Sequence, residues 1–471
     1  MNNKYYKVHL GKAKCGLDLG DGSERAEYVC QDYILNKLGR PHRYVNIMYT
    51  FYPKDKQWPQ RISEACKDMK INYQWDYPYD DYFPYGENGQ PFEQMKDIRR
   101  HGQDVLLTLT IDCSLEDSYL RKIAKQLKPF GRMRIRINHE CAGDWFTHNR
   151  RFSYEEVGAF FVRFHNILKE EAPNVSTIFC AGFLKDDGSE IEHQSEFLNA
   201  YKSADIWSAD CYLALHFGWP YDIAEKTSGR FNHSSVDYYY NRFKNTSERL
   251  RNLCGKKPMT TAEFNTDGDV TGSFNQGESI IRFARKFRDN KATWFEGISL
   301  YQFRDRGRLG LELEDPNNKS VGIERPLLED YKKILYDSYF MPEIKTNEEI
   351  HFPIKLRWGG SEDADGIEIP IIFEKTPEFC EITIEEKLSL MIEVNGRWFY
   401  KSPEVKTIDL LPAFYKNKFN DKKEISVKIF ATPLNGENFD DGNDDWNFNY
   451  YAEMKNPPNF RIRYEVPSQV E

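Results

Sequence analysis

The apolar positions of this chain follow two rhythms, and the change-over falls near residue 340. Before it, short runs rich in Val, Ile, Leu, Phe and Tyr alternate with stretches of helical period. Eight runs read as strands: KAKCGLDLG (12–20), RYVNIMYTFY (43–52), DVLLTLTID (104–112), RMRIRINHE (132–140), VSTIFCAGF (175–183), ADIWSADCY (204–212), KPMTTAEFN (257–265) and GISLYQFRD (297–305). Apolar runs of this length, bounded by turn residues, fit strands covered on both faces. The clearest helix is 154–171, where Val157, Phe160, Phe161, Phe164, Ile167 and Leu168 share one face, and Ser153 with Glu156 predicts a capping box at its start. ESIIRFARKFRDN and PLLEDYKKILYDSYF (326–340) predict two more. Eight strands alternating with helices predict an α/β fold, a (β/α)8 TIM barrel over 1–340. A doubly wound open sheet competes less well, because GLDLGDGSER after the first strand is not a glycine-rich phosphate loop.

From 341 to 471 the helical period disappears. PIKLRW, GIEIPIIFE, CEITI, LSLMIEVNGRWFY, VKTIDLL, EISVKIFATP and FRIRYEVP alternate or are β-branched, and Asn395-Gly396 is a strong hairpin signal. A C-terminal all-β sandwich is expected, packed on the barrel and mainly structural. Two long segments interrupt the barrel rhythm: 53–91, with the aromatic stretch NYQWDYPYDDYFPY, and LALHFGWPYDIAE after strand six. Connections of that length are often functional.

Strand four carries the strangest polarity. Arg132, Arg134, Arg136, Asn138 and Glu140 alternate with Met133, Ile135 and Ile137, so the charged set shares one face. If both faces are buried, those arginines need anionic partners.

Composition narrows the function. The chain has 471 residues, 40% apolar and 15% aromatic, enough for a large core, and a net charge of −9 that argues against a general nucleic-acid binder. No apolar run approaches a membrane span, and MNNKYYKVHLGKAKCG has no secretory pattern. The nine cysteines are scattered without a CxxC, which suggests reduced thiols and a cytoplasmic setting. FDDGNDDWN (439–447) lacks the spaced ligands of a calcium loop and reads as a solvated turn. Cys141 has no base arrangement beside it and reads as packing.

In a barrel the chemistry sits where the strands end. Those ends carry Asp18, Asp112, His139 and Glu140, Asp210 and Tyr212, Glu263 and Asn265, and Gln302, Arg304 and Asp305. Glutamates at the ends of strands four and seven are able to converge, and a convergent carboxyl pair suits glycoside hydrolysis. The stretch resembles that of clan A glycoside hydrolases, most of all glycoside hydrolase family 26. Arg136, His139, Glu140, Gly143, Trp145 and Phe146 match that family's arginine, histidine, acid/base glutamate, glycine, tryptophan and following aromatic residue. Glu263 matches its strand-seven nucleophile, and Asp210 and Tyr212 match a strand-six Asp-x-Tyr. The departures are Ile137 where the family has proline, Thr147 and His148 where another tryptophan is expected, and LYQFRDRGRLG where many clan A enzymes have a tryptophan floor. The family's mannan preference is therefore not carried over.

The resemblance implies a retaining β-glycoside hydrolase on a poly- or oligosaccharide, with Glu140 as acid/base, Glu263 as nucleophile, and no metal or organic cofactor. It also implies that Arg136 bonds Glu263 and holds it ionised. Asp210 supports the site. Asp18 and Asp112 are then candidate partners for Arg132 and Arg134. Sugars stack their C–H faces on aromatic rings, which makes Trp145, Trp75, Tyr77, Trp219 and Tyr301 candidate platforms. Asn138, His139, His148 and Tyr212 are candidate hydroxyl contacts. The alternative is a carbohydrate-binding barrel without turnover.

Overall fold

The computed structural model describes residues 4–21, 27–55, 57, 80–81, 89–143, 146–213, 234–266, 268–305, 309–415, 423–437 and 449–465. Of the expected features, Trp75, Tyr77, Trp145, Trp219, most of the 53–91 segment and the 439–447 acidic run lie outside these residues.

All eight expected strands form, and they close. Strand one is Gly16–Gly20, strand two Tyr44–Phe51, strand three Asp104–Ile111, strand four Met133–Ile137 and strand five Val175–Cys180. Strand six comes in two pieces, Ile206–Ser208 and Cys211–Tyr212, both paired with strand seven, Met259–Asn265. Strand eight, Phe295–Leu300, runs parallel to both strand seven and strand one, which shuts the barrel. The helix Tyr154–Glu171 has the expected capping box, and its apolar stripe is buried. Among the described residues no helix is long and apolar enough to cross a membrane.

The barrel interior is polar at two levels. Near the strand starts, Arg43 donates to Asp18 at 2.7 and 2.8 Å and reaches Glu296 at 3.2 Å. Arg134 also pairs with Glu296 and lies over the Tyr44 ring, 4.2 Å from its centroid. Tyr44, Leu106, Ile178 and Ile206, on strands two, three, five and six, form an apolar cluster. Towards the strand ends, Arg136 meets Asp210 and Glu263. The expected partners of the lower arginines are thereby corrected. Arg134 is held by Glu296, and Arg132, the residue just ahead of strand four, faces Asp363 of the C-terminal sheet at 3.7 Å. Asp18 is taken by Arg43, and Asp112 receives Arg151 at 3.2 Å. Charges this deep need partners at their own level of the barrel, and the strand-four arginines are spread over its whole depth.

Beyond the barrel, two antiparallel sheets enclose a second core. The larger has the order Glu343–Ile350, Tyr5–Gly11, Asp363–Phe373, Lys423–Ala431, Leu390–Val394, Arg397–Lys401, with Ile354–Gly360 and Tyr450–Met454 attached. The smaller pairs Thr407–Asp409, Phe379–Thr383 and Asn459–Arg463. Ile367, Ile369, Phe373, Ile382, Ile392, Val427 and Ile429 lie in that core. Tyr5–Gly11 was not expected there. It pairs with Glu343–Ile350 on one side and Asp363–Phe373 on the other, so the start of the 1–340 unit is built into the C-terminal sheet. Val8 and Leu10 supply its buried face. A further unexpected element comes after strand eight: Arg304–Asp305, Glu312–Asp315 and Asn318–Glu324 form a small sheet of their own.

The sandwich covers the barrel end at which the strands begin. The Trp398 amide donates to Gly39 O at 2.7 Å, Ser361 Oγ to Arg43 O at 2.7 Å, and Thr432 Oγ1 to Arg100 O at 2.7 Å. The rings of His101 and Tyr400 meet at a tilt of 43°, centroids 4.1 Å apart. Gly39 ends the helix Gln31–Leu38 at φ +83°, a left-handed conformation that suits glycine. The opposite end, where the strands finish, is left for chemistry.

Candidate active site

Arg136 is the hub. It ends the alternating face of strand four and is fully buried. Its Nη1 donates to Asp210 Oδ2 at 2.8 Å, its Nη2 donates to Glu263 Oε1, and its Nε donates to Thr108 Oγ1 at 2.9 Å. Thr108 passes the constraint on, donating to Asn46 Oδ1 at 2.8 Å. Thr108 and Asn46 were missed from the sequence. The signal was available in the period-two register of strands two and three, which turns both inward.

Glu263 is fixed from two sides. Arg136 takes Oε1, and the Tyr212 hydroxyl donates to Oε2 at 2.8 Å. Only 5% of Glu263 is exposed. Strand six presents Asp210 and Tyr212 to the same carboxylate. Burial pushes the Asp210 acid up to about 7; Arg136 opposes that rise and the neighbouring Glu263 charge adds to it. Glu140 sits opposite, half-buried, at φ +52°. One carboxylate oxygen each from Glu140, Asp210 and Glu263 lie within 4.8 Å of one another.

Three carboxylates at such spacing raise the question of a metal ion. The residues do not suit one. Both oxygens of Glu263 and one of Asp210 already accept hydrogen bonds, and the Arg136 guanidinium supplies the buried positive charge that a divalent cation would bring.

The remaining expected residues divide. His139 stands with Nε2 3.7 Å from Glu263 Oε1, its ring 4.2 Å from that of Phe146. Burial, Arg136 and then His148 push its pKa well below the usual histidine range, which favours the neutral imidazole. His148 is fully buried against Phe146, its rings near-parallel at 5.6 Å, and burial lowers its pKa to about 3. Tyr301 is 3% exposed and packs with Met48, Phe146 and Leu309, so its ring is wall packing and not an open sugar platform. Tyr212 is the more exposed ring beside it, 5.8 Å away and nearly perpendicular. Asn138 is corrected too. Its side chain is 1% exposed and bonded to the backbone of Ile111, which removes it from sugar contact. Asn265, at the end of strand seven, ties the strand ends together by donating to Tyr301 O and Leu309 O. Cys141 is buried, its thiol donates to Asn138 O, and burial raises its pKa far above the ordinary thiol value. That agrees with packing and not with nucleophilic chemistry.

The chain trace is similar to those of solved glycoside hydrolases. An endo-β-1,4-mannanase double mutant from Cellulomonas fimi aligns at 10% identity and TM-score 0.45, over 88% of this chain and 93% of that one. An α-L-arabinofuranosidase from Thermotoga maritima aligns at 10% identity and TM-score 0.46, over 91% and 100%. A glycoside hydrolase family 26 β-mannanase from Bacteroides ovatus aligns at 10% identity and TM-score 0.43, over 70% and 90%. No protein-family model matches the chain, and no curated protein matches it.

Proposed function

We propose that this protein is a retaining β-glycoside hydrolase acting on a poly- or oligosaccharide. The reading rests on one observation: two glutamates face each other at the strand ends, and one of them is clamped while the other is not buried. Glu263 is held by Arg136 and Tyr212 with its charge neutralised in place, the condition for a carboxylate that must attack without reorienting. Glu140 lies half-exposed across from it, with carboxylate oxygens within 4.8 Å. Retaining enzymes hold the pair about 5–5.5 Å apart, whereas inverting enzymes leave about 6.5–9.5 Å for a water between them.

In the first step Glu140 gives its proton to the glycosidic oxygen as Glu263 attacks the anomeric carbon. The leaving sugar departs as an alcohol, and a glycosyl–Glu263 ester remains. In the second step Glu140, now a carboxylate, takes a proton from water, which attacks the same carbon and frees Glu263. His139, 1% exposed, lines the nucleophile from behind, its Nε2 3.7 Å from Glu263 Oε1.

The test is product release by wild type, Glu263→Ala and Glu140→Ala on β-mannans, β-glucans, xylans and their oligosaccharides. Both variants should lose turnover, the Glu140 variant by about 10²–10⁴-fold as expected for a lost general acid. On an activated glycoside, azide should rescue Glu263→Ala with inverted product and Glu140→Ala with retained product. Oligosaccharide binding by a wild type that turns nothing over, indistinguishable from Glu263→Ala, would replace the hydrolase reading with a carbohydrate-binding barrel.

A further inference from the structure

The parallel ladder between strands three and four breaks off abruptly. Its last register pair is Leu109 with Ile137, and the Asn138 amide still donates to Leu109 O at 3.0 Å. Continued by two residues, the ladder would set Ile111 against residue 139. Instead the chain turns at Asn138, whose φ is +45°, and leaves the sheet. Asparagine tolerates that left-handed conformation far better than most residues.

The turn strands both backbone groups of Ile111 on that side, in a residue with no exposed surface. The Asn138 side chain takes their missing partner's place. Its Oδ1 accepts from Ile111 N at 2.8 Å and its Nδ2 donates to Ile111 O at 3.1 Å. A carboxamide has the donor and acceptor spacing of a peptide group, so it caps the ladder as one more rung. Nδ2 also points at Cys113 Sγ, 3.3 Å away.

From Asn138 to Cys141 the chain forms a short arch. Asn138 is its foot on strand three, and Cys141 is its foot on strand five, through a backbone bond from Cys141 N to Cys180 O at 3.2 Å. The Cys141 thiol closes the arch by donating to Asn138 O. His139 and Glu140 are the span, and Glu140 is left-handed as well. We propose that Asn138 is a positioning residue for Glu140: its amide replaces a ladder rung, and thereby fixes the height and direction at which Glu140 enters the barrel mouth. This rests on the reading of Glu140 as the acid/base.

Two variants separate conformation from clamp. Asn138→Gly keeps the positive φ and removes both hydrogen bonds. Asn138→Asp keeps the acceptor for Ile111 N and loses the donor to Ile111 O. Each is checked for folding by circular dichroism, then assayed on phenyl and 2,4-dinitrophenyl β-mannosides, β-glucosides and β-xylosides. A displaced acid matters only when the leaving group needs a proton. Asn138→Gly should therefore lose about 100-fold in kcat/KM on the phenyl glycoside, less than about 3-fold on the dinitrophenyl one, and Asn138→Asp should fall between. Equal losses on both leaving groups overturn the proposal. A crystal structure of Asn138→Gly beside wild type decides it without turnover: Glu140 should move relative to Glu263 while the Arg136–Glu263 pair stays, and an unmoved Glu140 overturns it. Absence of turnover in wild type as well as Glu263→Ala counts against the hydrolase reading, and the crystal comparison still decides what Asn138 does.

Discussion

Arg136 serves two acids at once, and this makes the residues around it unequal. The Tyr212 hydroxyl is the only described side-chain donor on Glu263 Oε2. Tyr212→Phe should leave the fold intact and lower kcat/KM by about 10- to 150-fold, since hydrogen bonds to charged groups contribute about 1.5–3 kcal/mol; steady-state kinetics on the best substrate would check it. Asp210 behaves differently, because burial raises its pKa above the unfolded value of 3.8. Between those two values the folded protein holds a proton that the unfolded chain releases. Stability contributed by this group is therefore fully present below about pH 4 and declines as pH rises towards neutrality. Asp210→Asn imitates the protonated acid, and its melting temperature should fall less than that of wild type between pH 5 and pH 8. Much of this hub was legible in the sequence, because a strand's period of two is rigid: Arg136 and Glu263 each sit on a strand whose facing could be read. Asn138 was misread for the same reason. Its period puts it on the catalytic face, but a single positive φ takes it off the strand.

Among the elements, strongly periodic segments were the readable ones. The helix Tyr154–Glu171 shows its N-terminus in sequence because capping is a local matter. Ser153 Oγ accepts from Glu156 N at 3.3 Å, and Glu156 Oε2 accepts from Ser153 N at 2.8 Å. Ser153→Ala should cost about 1 kcal/mol in a denaturant titration, without a change in activity, because the helix start is far in sequence from every residue on Arg136. Elements that depend on distant partners were not readable. The small sheet Arg304–Asp305, Glu312–Asp315, Asn318–Glu324 is made mostly of charged and polar residues, and its last strand is largely exposed. Its anchor is an ion pair, Arg304 to Glu312 at 2.8 Å, with the Tyr33 hydroxyl donating to Glu312 at 2.8 Å. No apolar alternation announces such an element.

At the scale of the molecule, barrel and sandwich depend on each other. Asp104, at the start of strand three, is fully buried; it pairs with Arg99 and receives Ser361 Oγ at 3.1 Å from the sandwich. Truncation after residue 340 would uncover that end and leave Tyr5–Gly11 without either neighbour. The truncated chain should be insoluble or unfolded by circular dichroism, and a soluble truncated barrel with full activity would contradict this interdependence. The domain boundary was only partly legible, since Tyr5–Gly11 looks like any short alternating strand and nothing local says which sheet it joins. Its place in that sheet also sets a schedule for synthesis. Tyr5–Gly11 is made more than three hundred residues ahead of its partners Glu343–Ile350 and Asp363–Phe373. At roughly 5–20 residues per second, the strand waits on the order of 20–70 seconds with both hydrogen-bonding edges and its apolar face unpaired. Through that interval Tyr5–Gly11 offers two open edges to wrong pairing, and the barrel end beside it stays uncovered until the sandwich strands arrive.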